Sequence, residues 1–125
     1  MINREHKLAR CVRVIERFAE EFGELIRQQE ALKKERRTIV SARTPDKGKM
    51  VNWNERAIAW RDLQFAALRK MRTKEKEVLT ELSDLLLRLE ERERSAFENK
   101  TNQIKRAFKK EYLRLRSRNL VEFVV

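Results

Sequence analysis

The stretch VLTELSDLLLRLEERERSAFENKTNQIKRAFKKEYLRLRSR, residues 78–118, decides how this chain is read. It opens as a leucine-rich seam, passes through the Glu/Arg-dense run 89–94, and ends strongly basic. No Gly or Pro interrupts it. From Lys100 to Arg118 the cations are Lys100, Lys105, Arg106, Lys109, Lys110, Arg114, Arg116 and Arg118, against one acid, Glu111. A solvated helix face usually balances its cations with acids three or four residues away. Here the balance is missing, so the segment repels itself unless a partner neutralises it. One half is suited to packing against protein, and the other to meeting something negatively charged.

The rest of the chain has the composition of long helices. Charged residues make up 41% of its 125 positions, and the only breakers are Gly23, Pro45 and Gly48. So few turns, with so much Glu, Lys, Arg and Leu, predict an all-α fold of one unit spanning 1–125, an elongated antiparallel helical hairpin or coiled coil. The net charge of +11 predicts a polyanionic partner: nucleic acid, an anionic membrane or an acidic protein surface. The sequence holds no apolar run of membrane-spanning length and no hydrophobic signal core, so the expectation is a soluble intracellular protein. A lone cysteine, Cys11, fits a reducing compartment.

Toward the N-terminus, Asn3 can cap a helix over 4–40. Leu8, Ile15, Phe22, Gln29 and Arg36 fall seven apart, as do Cys11, Phe18, Leu25, Leu32 and Ile39, which are the a and d positions of a heptad. Pro45 and Gly48 place a loop at 41–51. Asn52 and Glu55 read as a capping box that starts a long second helix over 53–94. Its seam is Ala57, Trp60, Ala67, Leu68, Met71, Val78, Leu82, Leu85 and Leu89. The two helices would lie antiparallel over about 54 Å. The same seam is satisfied equally well between two chains, so a homodimer or another coiled-coil protein is an alternative partner.

Past Leu89 the apolar register slips to a thinner stripe of Phe97, Ile104, Phe108 and Leu115, which the first helix is too short to cover. The second helix either runs on or breaks at Arg94–Ser95, where Ser95 and Glu98 form another capping signature, and restarts as a third helix over 96–120. One long or gently interrupted helix is the preferred reading.

The eight cations of 100–118 are the candidate residues for binding an acidic partner. Phe97, Phe108 and Tyr112 lie among them and, with Trp53 and Trp60, are the candidate interface anchors. The two tryptophans read equally well as closing the hairpin against Leu32 and Ile39. The tail Glu122–Val125 reads either as a carboxylate motif for a β-augmentation groove or as a docked hydrophobic tail. Catalysis has no foothold. One histidine, His6, and one seam cysteine assemble neither a catalytic group nor a metal site, and no glycine-rich loop is present to hold a phosphate cofactor.

Residues Leu85, Leu86, Leu89, Glu91, Glu93, Phe97, Asn102, Gln103, Ile104, Ala107 and Phe108 form a pattern that resembles small cilia- and flagella-associated proteins lining axonemal microtubules. The resemblance implies a non-enzymatic structural protein of the cytoskeleton in the cilium axoneme. It would extend along tubulin, with nucleic acid or anionic lipid as the partner under the alternative reading of a coiled-coil adaptor.

Overall fold

A computed structural model describes residues 4–44 and 46–118. Among them the chain is all-α, with α1 over Arg4–Ser41, α2 over Lys47–Leu87 and α3 over Glu91–Arg116. The three helices pack as an up-down-up bundle in which α2 is the longest, at 41 residues. Ion pairs at both ends mark this arrangement. Near one end Arg4 meets Glu93 at 2.6 Å and Lys7 meets Glu81 at 3.5 Å. Toward the other, Arg56 pairs with Glu35 and Arg118 reaches Glu30 at 2.5 Å.

The seam of α1 forms as its heptads predict, burying Cys11, Phe18, Phe22, Leu25, Gln29 and Leu32. Its facing seam on α2 is Trp53, Ala57, Trp60, Gln64, Ala67, Leu68, Met71, Val78, Leu82 and Leu85. Both seams are filled within one chain. The expected cap Asn3 lies outside the described residues, as does the tail 119–125.

The first connection is shorter than the expected loop at 41–51. Asp46, not Asn52, caps α2: its Oδ1 accepts from the Lys49 backbone N–H at 3.1 Å. Asp is as strong a cap as Asn, and starting six residues earlier lets Met50 and Trp53 enter the core in helical register. Gly48 is therefore helical. A Cβ there would come within 3.3 Å of the capping Asp46 oxygen. Asn52 instead accepts from Arg56 Nε at 2.8 Å along the helix surface, so no capping box forms with Glu55.

The second connection overturns the preferred single long helix. The chain turns at Arg88–Glu90, about a turn and a half before Arg94–Ser95, and folds back. Arg88 N–H closes α2 on Leu85 O at 3.1 Å. Glu90 caps α3 in extended conformation with no side-chain capping bond, its carboxylate pairing with Arg92 at 3.1 Å, while Glu91 and Glu93 set negative charge against the positive end of the α3 dipole. Ser95 and Glu98 lie inside α3, exposed. Packing decides for the turn. Folding back buries Phe97, Ile104, Phe108 and Leu115, and each such side chain contributes roughly 1.5–3 kcal/mol. A break forfeits only a few helical hydrogen bonds, worth about 1 kcal/mol each. The thin stripe thus has its cover: α1 and α2 together, not α1 alone.

Candidate polyanion-binding face

The aromatic residues expected as interface anchors are mostly anchors of the bundle itself. Trp53 and Trp60 are buried, and their indole N–H groups donate to the Leu32 and Leu25 carbonyls of α1 at 2.6 and 2.7 Å. Of the two readings of these tryptophans, closure of the hairpin is the one formed. Phe97 and Phe108 are buried on α3. Their burial inside the chain removes all four from any external surface. Tyr112 is the exception. It is half-buried, with the guanidinium of Arg72 from α2 4.2 Å from its ring centroid and that of Arg116 at 5.9 Å.

The eight cations of 100–118 do not form one group. Arg114 and Arg118 turn toward α1. Arg114 bonds to Glu111 at 2.8 Å and approaches the Ala19 carbonyl at 3.5 Å, while Arg118 holds Glu30. Lys100 lines the α1–α3 groove alongside Glu5 and Glu16. The remaining five, Lys105, Arg106, Lys109, Lys110 and Arg116, are exposed. Lys105, Lys109 and Arg116 recur at helical spacing on the flank of α3 that faces α2, and Arg106 and Lys110 extend it outward.

Antiparallel packing brings further cations to this face. Arg72 lies on Tyr112, and Arg69 and Lys76 share its stripe of α2 at i−3 and i+4. The sequence carries that signal only as an unbalanced triplet, and its relevance depends on α3 folding back beside α2. None of Arg69, Lys76, Lys105, Arg106, Lys109 and Lys110 has an ion pair with a described residue. The nearby acids of α2 are engaged elsewhere or turned away: Glu77 meets Lys74 at 3.4 Å, Glu81 meets Lys7, and Glu75 is half-buried. Leu113, exposed between Lys109 and Arg116 on the same side of α3, adds an apolar spot. The result is a cationic surface contributed by two helices, with Arg72–Tyr112–Arg116 stacked at its centre.

No protein-family model, curated relative or solved structure matches this chain. The chemistry has to be read from the groups themselves. Among the described residues no cluster of His, Cys, Asp or Glu could hold a metal ion. Cys11 is buried, and burial, reinforced by Glu81, pushes its thiol pKa up. A thiol so placed stays protonated at neutral pH and is a poor nucleophile. No described helix is long and apolar enough to cross a membrane. The surface can do one thing well: attract and hold extended negative charge.

Proposed function

We propose that this chain is a non-enzymatic structural and binding protein, a basic helical rod that attaches to an acidic polymer through the α2–α3 face. The resemblance over 85–108 implies the microtubule of the ciliary axoneme as that polymer. The observation that carries the reading is the set of exposed cations on two adjacent helices without acids to balance them. Surface charges normally pair with one another where opposite signs are within reach, and the other flanks of this bundle do so. Several residues that carry the resemblance, Leu85, Phe97, Ile104 and Phe108, are core residues. Contact with tubulin therefore falls to exposed cations, Lys105, Arg106, Lys109 and Lys110 of α3 with Arg69 and Lys76 of α2.

Association of this kind is screened by salt. The purified protein is expected to co-sediment with microtubules at low ionic strength and to release as salt rises. Parallel arms with duplex RNA, DNA and acidic vesicles test the second reading, an adaptor whose basic helix binds nucleic acid or anionic lipid. It draws support from Arg69, Arg72, Arg106 and Arg116, since guanidinium groups suit phosphate. A folded, helical sample that does not pellet with microtubules at low salt would remove the tubulin reading. Binding to RNA or vesicles in that same sample would install the other.

A further inference from the structure

The solvent side of α2 carries a stripe that its two neighbours leave open. α1 packs on the side of Trp53 and Trp60, and α3 on the side of Gln64 and Arg72. On the remaining side Val51, Ile58 and Phe65 fall seven apart and are 57%, 43% and 51% exposed. Directly beside them, at the same spacing, run Glu55, Asp62, Arg69 and Lys76, all exposed. None of these four has an ion pair with a described residue. Charges on a helix surface pair at three or four residues' separation. A spacing of seven sets successive charges about 10.5 Å apart along the axis, too far to pair within the helix.

The order of these charges, two acids followed by two cations, is complementary to its own reverse. Positions 55 and 76 share a midpoint with 62 and 69, and that midpoint lies between Phe65 and Ala66. A second copy of α2 laid antiparallel across this point sets Glu55 opposite Lys76 and Asp62 opposite Arg69, each pair occurring twice by the two-fold symmetry. The same register sets Phe65 opposite Ala66, Ile58 opposite Thr73 and Val51 opposite Thr80, all exposed on α2. A parallel copy would set each charge against itself. Charge complementarity of this kind selects the partner and its orientation.

We propose that two copies of the chain pair through this stripe as an antiparallel two-fold dimer centred at Phe65–Ala66. The apolar residues Val51, Ile58 and Phe65 supply the contact, and the four charges fix its direction and register. The buried seams of α1 and α2 take no part, since each chain fills them internally. The strip over 51–80 is about 45 Å long and about 10 Å wide. It falls short of the roughly 800 Å² per partner of a standard interface, so the dimer is weak and reversible. Self-pairing does not depend on polyanion binding. Where both occur, the polymer and the second copy compete for Arg69 and Lys76.

Sedimentation equilibrium of the full chain, in buffer without polyanion, tests the dimer. The mass of the natural chain is expected to rise from one copy toward two as concentration increases over about 1 μM to 1 mM. Glu55→Lys/Asp62→Lys and Arg69→Glu/Lys76→Glu, each confirmed as helical, are expected to weaken the dimer at least about tenfold. An equal mixture of these two variants restores opposite charges across the contact, as does the fourfold reversal in one chain, and both are expected to recover association to within about threefold. A natural chain that stays single up to about 1 mM would overturn the proposal. So would double variants that associate as tightly as the natural chain, or a mixture and a fourfold reversal that both stay single. Mass growing beyond two copies would replace the closed dimer with an open assembly and overturn it as well.

Discussion

Arg72 of α2 lies over the ring of Tyr112 of α3, 4.2 Å from its centroid, and joins the two helices at the middle of the cationic face. Cation–π stacking of this kind contributes about 0.5–1 kcal/mol at exposed sites. Its larger consequence is geometric. It holds a guanidinium of α2 beside those of α3, so that the positive surface is two helices wide.

Removal of a tryptophan should show that the hairpin is anchored from within. Trp53→Ala empties a fully buried site and deletes the bond to the Leu32 carbonyl, and is expected to cost about 3–5 kcal/mol. Trp53→Phe should cost clearly less. Urea titrations followed by far-ultraviolet circular dichroism measure both. A loss below about 1 kcal/mol for Trp53→Ala would mean that the side chain is not core.

The start of α2 is open to an equally direct test. Asp46→Ala is expected to destabilise by about 1 kcal/mol through loss of the N-cap. Asn52→Ala, which loses only a surface contact to Arg56, should stay within about 0.5 kcal/mol. The reverse order would restore Asn52 as the cap.

The contrast between these two positions shows how far local signals reach in this chain. The a and d seams of α1, the antiparallel pairing and the all-α class are legible from the spacing of Cys11, Phe18, Leu25 and Leu32 and the leucines of 68–89, because burial follows helical period. Boundaries are harder. Asp46 and Asn52 are both good caps, and only the demand that Trp53 be buried selects the first. The turn at Arg88–Glu90 has no glycine, no proline and no side-chain cap, so nothing local marks it. It exists because Phe97, Ile104, Phe108 and Leu115 need cover. The basic half of 100–118 is legible as charge, but Arg69, Arg72 and Lys76 become its neighbours only once that turn is made.

One ion pair should give stability a modest acid dependence. Hydrogen bonding from Arg56 holds the Glu35 carboxyl below the usual glutamate range. A lowered folded-state pKa stabilises the fold above the unfolded value, near about 4.3, and that contribution is lost as pH falls through the folded pKa. The pair is at the surface, so its worth is at most about 1 kcal/mol. Glu35→Gln should therefore be less stable than the natural chain at pH 7, with the difference closing in acid below the usual glutamate range. A difference that stays constant into acid would exclude the pair as its source.

An acidic polymer is expected to bind a face built from two helices, and charge reversal on α2 separates such a face from net charge. Arg69→Glu/Lys76→Glu alters residues outside the basic C-terminal stretch, while Lys70→Glu/Lys74→Glu makes the same charge change on the opposite flank. The measurement is microtubule co-sedimentation at low salt for the natural chain and both double variants, each confirmed as helical. The Arg69/Lys76 variant is expected to lose at least tenfold in affinity and the Lys70/Lys74 variant less than threefold. Equal losses in both would show that net charge alone, with no defined face, governs binding.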